Sequence, residues 1–262
     1  MKEKKEKKKL NIPFLICLIV LIGAVAFGIV YKVRQNQKES VYEDLAAEVM
    51  ISETEEEEED LSVEEEEETV SIPIDFETLW ETNEDIYAWI HIEGTVIDYP
   101  IVQSADDDKY YLYRTVDGEE GLPGSIYTKA TYNGTDFTDN VTVIYGHNMR
   151  DDSMFGSLSE YQDEDYREEH SEIIIYTPEH ILTYEIVCAV TYDNRLISYA
   201  FDLDNALGYA EFLDSLQYEH YIPSWTADPF DVSTDDRMII LSTCNGNSDQ
   251  RYLIGAVLVS EE

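Results

Sequence analysis

The first long pattern in the chain is apolar. Leu10–Tyr31 holds 22 consecutive residues without a charge, and Ile, Leu, Val, Ala and Phe dominate the run. A helix rises about 1.5 Å per residue, so this run is long enough to cross a bilayer core of roughly 30 Å. A cleaved signal peptide is the alternative, but its apolar region is usually only about 7 to 15 residues long. The pattern favours a transmembrane anchor over 10–31.

Charged residues set the orientation of this predicted anchor. Six Lys lie in residues 1–9, before the run, whereas Lys32, Arg34 and Lys38 follow it. The positive-inside rule therefore predicts that 1–9 is a basic cytoplasmic tail. Everything after about residue 32 is then expected outside the cell.

A strongly acidic segment follows the anchor over 32–70. Residues 39–70 contain sixteen acids and no cation, and twelve of the sixteen positions in 53–68 are acidic. Such a density of like charge repels itself and buries nothing. We expect an extended extracellular linker, and the alternative is a solvated helical stalk, because Glu has a good helix propensity.

Residues 71–262 show the pattern of one folded domain. Asp75–Trp80 and Asn83–Trp89 predict a helical opening, after which short runs rich in Val, Ile, Tyr and Thr alternate with Gly, Pro, Asn and Asp. Such runs are typical of strands. Eight are predicted, over 89–92, 96–102, 124–129, 141–147, 172–176, 182–192, 238–244 and 252–259. Eight strands in one domain indicate a barrel or a sandwich.

Two further helices interrupt the strands. A short one is predicted around Ser157–His170. A longer amphipathic one is predicted over 202–218, where apolar residues recur at spacings of three and four. The residues of this apolar face are Leu203, Ala206, Leu207, Ala210, Leu213 and Leu216. The predicted fold class is mainly β with added helices (α+β).

The charge balance excludes one class of partner. The chain has 17 Lys+Arg and 57 Asp+Glu, for a formal net charge of −40. In residues 71–262, eight cations stand among thirty-nine acids. No basic patch of the size that a nucleic-acid backbone needs can form from them, so we expect no nucleic-acid partner.

The three Cys do not resemble a disulfide framework. Cys17 lies in the predicted anchor, and Cys188 lies in the apolar run 186–190, as expected for a strand interior. Cys244 has polar neighbours on both sides, in Ser-Thr-Cys-Asn-Gly. A lone Cys in such a loop of an exported chain is a candidate reactive thiol.

Two other residues share the position of Cys244 at a strand end. His147 ends the apolar run 141–146, and Arg251 begins the strand after a loop of six residues, which would place it across a hairpin mouth from Cys244. A thiol, an imidazole and a guanidinium at one rim can perform acyl transfer by nucleophilic attack, proton transfer and oxyanion stabilisation. Each residue also has an ordinary structural interpretation, as a buried thiol, a surface imidazole or an ion-paired guanidinium.

The local sequences around these residues resemble the sortases, and class B most closely. The similar blocks are Tyr145-Gly146-His147-Asn148-Met149, Ser153-Met154-Phe155-Gly156-Ser157-Leu158 and Leu241-Ser242-Thr243-Cys244 followed by Arg251. Upstream, Ile97–Gln103 and Gly124–Tyr127 extend the similarity, which covers about residues 75–260. The interval between Cys244 and Arg251 is short for this family.

The resemblance implies an eight-stranded sortase barrel in a membrane-anchored cysteine transpeptidase, with 71–262 as its catalytic domain. Cys244 would cut a sorting signal near the C-terminus of a secreted protein and hold the N-terminal part of that protein as a thioacyl-enzyme. His147 would be the general acid and base, and Arg251 would stabilise the oxyanion. Tyr145, Ser242 and Thr243 would line the substrate site. The implied chemistry needs no cofactor and no metal.

The resemblance also implies an acceptor for the acyl group and a location. The acceptor amine would come from a peptidoglycan precursor of the cell wall or, in a pilin-polymerising sortase, from a pilin Lys. The expected location is the membrane of a Gram-positive bacterium, with lipid around the N-terminal helix. A stalked surface adhesin or binding module would also explain the anchor, linker and β domain, but would leave the three motif blocks unexplained.

Overall fold

The computed structural model describes residues 12–51 and 71–262. The predicted tail 1–9, residues 10 and 11 of the predicted anchor and residues 52–70 of the predicted linker lie outside these ranges. Within the described ranges, no helix combines the length and the apolarity that crossing a membrane requires. The anchor over 10–31 stays a prediction.

A long helix, α1 (Ile12–Val49), crosses the division between two compact units of the chain, which falls between Val41 and Tyr42. The second unit runs from Tyr42 to Glu262 and contains the predicted domain 71–262, whose bounds stay a prediction. Tyr42, Leu45 and Val49 of this unit are buried. Their helical spacing is hidden in the sequence by the acids around them.

The second unit is built around a closed barrel of eight strands, as predicted. Its sheet contains β1 (Ile86–His91), β2 (Asp98–Val102), β3 (Ile126–Tyr127), β4 (Val141–Tyr145), β5 (Glu172–Tyr176), β6 (Ile181–Asp193), β7 (Tyr221–Thr226), β8 (Met238–Cys244) and β9 (Gln250–Glu261). The ring order is β5-β1-β2-β3-β4-β8-β9-β6, and it closes through pairing of β6 with β5. The pairs β2–β3 and β4–β8 are parallel and the others are antiparallel.

The ninth strand, β7, lies outside the ring and was not among the eight predicted strands. It pairs only with β6 in the described sheet. Pro223 interrupts its sequence pattern, and Pro is compatible with an edge strand but not with a central one. The eight strands of the ring all correspond to predicted runs.

The predicted helix over Asn83–Trp89 is wrong. Helix α2 (Phe76–Thr82) ends because the Asn83 side chain leaves the helix and donates to the Tyr111 hydroxyl at 2.8 Å and to the Val116 carbonyl at 2.7 Å. Ile86 then begins β1, which pairs with β2 on one side and β5 on the other. Burial between two strands overrides the local helical pattern here.

The remaining helices are short except for one. They are a 3₁₀ helix over Tyr110–Tyr113, a 3₁₀ helix over Gly156–Gln162, α3 (Glu164–Glu169), α4 (Ile197–Ala200) and α5 (Ala206–Tyr218). The predicted helix around 157–170 is therefore two elements. They are divided at Asp163, whose side chain caps α3 by accepting from the backbone N–H groups of Asp165 and Tyr166.

Helix α5 lies between β6 and β7 in the chain, and its buried face agrees only in part with the predicted one. Asn205 caps it by accepting from the backbone N–H of Leu207 at 2.9 Å, so the helix begins at 206 rather than 202. Tyr209 and Phe212 are fully buried in the core, whereas Leu207 is 70% exposed. Leu213 and Leu216 of the predicted face are buried in the same core, and the aliphatic pattern omitted the two aromatic residues.

Candidate active site

The register of three strands brings the predicted site residues together. In the parallel pair β4–β8, Tyr145 lies opposite Ser242, and in the antiparallel pair β8–β9, Cys244 lies opposite Arg251. His147 follows β4 by two residues. The rim of the barrel thus carries a thiol, a guanidinium and an imidazole that are separated by up to 104 positions in the sequence.

A single cleft of about 190 Å³ opens at this rim. All six residues predicted for the site line it, namely Tyr145, His147, Ser242, Thr243, Cys244 and Arg251. It is also lined by residues 192–197, at the end of β6 and directly after it, and by Lys109 and Leu112. The cleft is large enough for side chains of a peptide.

The thiol of Cys244 is free and exposed, at the last position of β8. Asn148 donates to the backbone carbonyl of Cys244 at 2.6 Å and so ties the end of β8 to the segment that follows His147. The other described thiol, Cys188, is fully buried, and burial raises its pKa to about 12. Since the thiolate is the nucleophile, Cys188 is unsuited to the chemistry and Cys244 is accessible for it.

The ring of His147 is held by the backbone of the 3₁₀ helix over 110–113. Its Nε2 atom lies 2.6 Å from the carbonyl oxygen of Leu112, and its ring packs against Tyr113 at 5.5 Å between centroids. A carbonyl can only accept, so Nε2 carries the hydrogen, and in the neutral form of the ring the lone pair lies on Nδ1. This is the tautomer of a group that can accept a proton at Nδ1.

The backbone beside His147 is fixed to β8. The Thr243 hydroxyl donates to the Gly146 carbonyl at 2.8 Å, and the Gly146 N–H donates to the Ser242 carbonyl at 3.2 Å. Gly146 has no space for a side chain, because an added Cβ would lie 2.6 Å from both Ile126 and Phe155. Thr243 therefore positions the His147 segment through its hydroxyl, although it also lines the cleft.

Arg251 keeps most of its donors available. Its Nη1 donates to the carbonyl of the preceding Gln250 at 2.9 Å, and no carboxylate among the described residues lies within ion-pair distance of it. A guanidinium has five N–H donors in a planar fork. The remaining donors can bind a substrate oxygen.

Tyr127, Lys129 and Arg195 are among the cleft residues that were not predicted as site residues. Tyr127 stacks on Tyr145 at 5.4 Å, and the Nζ of Lys129 lies 4.2 Å from the centroid of the Tyr145 ring. Arg195 also lines the cleft. Burial raises the pKa of both phenols, and the nearby Arg251 opposes this shift, so the two tyrosines are neutral at physiological pH. Lys129 ends a predicted strand, as His147 and Cys244 do, so its position at a strand end could have identified it as a site residue.

Asn133, in the loop between β3 and β4, has a structural role. Its amide donates to Asp139 at 3.0 Å and to the Val141 carbonyl at 2.8 Å, and its oxygen accepts from the Val143 N–H at 3.0 Å. It is 6% exposed. All of these bonds stay within the loop and the strand it joins.

Known proteins are similar to this chain over the same region. The family model of the Sortase domain matches residues 90–259. Sortase B of Listeria monocytogenes is 35% identical over 192 residues, which is 70% of this chain and 73% of that protein. A crystal structure of sortase B from Bacillus anthracis covers 86% of this chain and 97% of its own, with 28% identity and a TM-score of 0.67.

A sortase B–substrate complex from Staphylococcus aureus covers 71% of this chain and 84% of its own, with 26% identity and a TM-score of 0.61. Residues 90–259, which the family model matches, contain the cleft and the barrel except for the first four residues of β1 and the last two of β9. The chain therefore belongs to the sortase family of cysteine transpeptidases, and within that family to class B.

Proposed function

We propose that this chain is a membrane-anchored transpeptidase that cleaves a C-terminal sorting signal and joins the secreted protein to an amine of the cell wall. Residues 10–31 are the anchor and 32–70 the extracellular linker in this proposal. Cys244 is the nucleophile, His147 the general acid and base, and Arg251 the oxyanion donor. Tyr145, Ser242 and Thr243 line the substrate site. The observation that carries the proposal is the exposed Cys244 directly opposite Arg251, in a cleft that His147 also lines.

The first half-reaction transfers the acyl group to sulfur. The Cys244 thiolate attacks the scissile carbonyl, a C–S bond forms, and the carbonyl oxygen becomes an oxyanion that accepts from Arg251. His147 takes the proton of the Cys244 thiol at Nδ1 and gives that proton to the leaving amine as the C–N bond breaks. The product is a thioacyl-enzyme, with the downstream part of the sorting signal released.

The second half-reaction reverses these roles. The amine of the acceptor attacks the thioester, and His147 takes a proton from it through the Nδ1 atom that the Leu112 contact leaves available. A new amide forms as the C–S bond breaks and the Cys244 thiolate leaves. No group outside the chain and its two substrates is consumed.

The two described cysteines provide a matched test of the nucleophile. The full chain is mixed with a sorting peptide and an amine acceptor, and the amide product is measured for Cys244→Ala and Cys188→Ala. We expect Cys244→Ala to abolish product and Cys188→Ala to retain it. Product from Cys244→Ala at the wild-type rate would contradict the proposal.

Arginine geometry gives an independent test. Arg251→Lys keeps the charge but loses the planar fork, so we expect a large loss of turnover. Arg150→Lys, on the exposed segment after His147, is the control and should leave turnover unchanged. Wild-type turnover in Arg251→Lys would mean that Arg251 is only structural.

A further inference from the structure

The cations of the acidic domain converge on the cleft. Residues 71–262 contain only eight Lys and Arg among thirty-nine acids. Four of the eight line this one cleft, and they are Lys109, Lys129, Arg195 and Arg251. Asp193 is the single acid that lines it. The cleft is therefore locally cationic in a domain of formal charge −31.

One of these four cations is neutralised internally. The Arg195 guanidinium donates to both carboxylate oxygens of Asp193, at 2.8 Å and 2.7 Å from Nε, and lies 3.7 Å from Glu219. Asp193 is thereby occupied by Arg195. No acid that lines the cleft remains to balance Lys129 or Arg251.

Lys129 is the most unusual of the remaining cations. It is only 9% exposed, and its ammonium contacts the face of the Tyr145 ring at 4.2 Å. Burial lowers its pKa, Lys109 and Arg251 lower it further, and the attraction of Asp108 opposes the shift. Asp108 forms no ion pair with it and instead accepts from the Thr131 N–H at 3.2 Å.

The Lys129 ammonium lines the cleft without a carboxylate partner among the described residues, and its partial burial is costly because the water it removes is replaced by nothing charged. The tyrosine face compensates only in part, since a cation–π contact is weaker than a charge-assisted hydrogen bond to a carboxylate. Such a site is complete when a ligand supplies the anion. The cleft is the path by which a ligand reaches Lys129.

We propose that the sorting peptide of this enzyme carries an Asp or Glu side chain whose carboxylate pairs with Lys129, which is thereby a specificity-determining residue. The inference rests on the proposed function, because it assigns the substrate class of the same cleft. Tyr127 and Tyr145 pack against the stem of the acidic side chain, and Arg251 stays free for the oxyanion. The many acids of the domain disfavour such a peptide elsewhere, whereas the cations of the cleft attract it.

The test uses the full chain and a positional-scanning library of heptapeptides. Each position in turn is Asp, Glu, Asn or Gln, the others are randomised, and the thioacyl adduct is measured by mass spectrometry. At one position we expect the acid to be preferred over its amide by about tenfold, which corresponds to a charge-assisted hydrogen bond. Lys129→Gln should lose this preference, and Lys129→Arg should keep it.

A charge-reversal variant and a matched control test whether the preference for acid depends on Lys129. Lys129→Glu should shift the preference at the same position towards Lys or Arg. Arg150→Gln removes one cation outside the cleft and should leave the preference for acid unchanged. If a thermal unfolding measurement shows that Lys129→Gln is not folded, it is replaced by Lys129→Met, which keeps the apolar stem.

The outcomes separate the inference from the function on which it rests. Adducts on Cys244 without any preference for acid, or with a preference that survives Lys129→Gln, would overturn the inference and leave the transpeptidase intact. A loss of thermal stability in Lys129→Gln with unchanged selectivity would assign Lys129 a purely structural role. The absence of adducts with every peptide would overturn the proposed function and the inference together.

Discussion

A single methyl group added at Gly124 should damage the site through His147. Gly124 has φ +74°, and an added Cβ would lie 2.8 Å from the Leu112 carbonyl oxygen and 3.0 Å from Cδ2 of His147. Those two groups are the partners in the 2.6 Å contact that fixes the His147 ring. The added methyl group of Gly124→Ala therefore displaces the Leu112 carbonyl or the His147 ring, whose contact determines that Nε2 carries the hydrogen.

The chain contains a control with the same backbone conformation. Gly118 has φ +82°, and nothing lies within 4 Å of its added Cβ. An L-residue in the left-handed region costs about 1 to 2 kcal/mol, so both Ala variants should lose this amount of unfolding free energy. Gly124→Ala should lose about 1 to 3 kcal/mol more, because it also overpacks.

Gly124→Ala and Gly118→Ala should differ more in turnover than in stability. A catalytic group that moves by about 1 Å can lose about a hundredfold in rate, so we expect Gly124→Ala to lower kcat/KM by tenfold or more. Gly118→Ala should stay within about twofold of wild type, because the added methyl group contacts nothing. The assays are denaturant unfolding and thioacyl formation with a sorting peptide. Equal losses in both variants would refute the argument that Gly124 acts through His147.

Three further perturbations test the support of the site and the barrel. Tyr42→Phe removes the hydroxyl that donates to the Gly124 carbonyl at 2.5 Å and accepts from the Val116 N–H at 3.2 Å, and should cost about 1 to 3 kcal/mol in denaturant unfolding. Tyr199→Phe, at an 82% exposed position, is its control and should cost almost nothing; equal costs would show that the Tyr42 bonds are not stabilising. Thr243→Val leaves the Gly146 carbonyl without its 2.8 Å donor and should lower both stability and turnover, whereas Thr243→Ser should recover both; failure of Ser to recover them would assign the effect to packing. His91 has a raised pKa, chiefly through its hydrogen bond to Asp98, so its contribution to stability is present below its unfolded pKa of about 6.5 and is lost as pH rises through the higher folded value. Unfolding measured between about pH 6 and pH 8 should show wild type losing its advantage over His91→Gln, and parallel curves would contradict this.

The sequence predicted the eight strands of the ring because each is a short β-branched or aromatic run between turn residues. It missed β7, where Pro223 interrupts the run, and it assigned a helix to Asn83–Trp89, where a side-chain cap at Asn83 ends the helix early. Both errors concern places where tertiary partners decide the local structure. Neither partner is visible in the local pattern.

Part of the site was accessible from the sequence and part was not. Strand ends predicted the rim positions of His147, Cys244 and Arg251, and the short loop predicted that Cys244 and Arg251 face each other. The contact of His147 with the Leu112 carbonyl was not accessible, because it joins residues 35 positions apart through a 3₁₀ helix. Tyr42 was also hidden, since an acid-rich segment gives little sign that it packs against a domain.

We propose that Cys244 carries the acyl group in this cleft. Mass spectrometry of the full chain after reaction with a sorting peptide, with the modified cysteine identified by proteolysis, tests this most directly. We expect a thioester on the Cys244 peptide, its loss in Cys244→Ala and its persistence in Cys188→Ala. A thioester on Cys188, or an adduct that remains in Cys244→Ala, would contradict it.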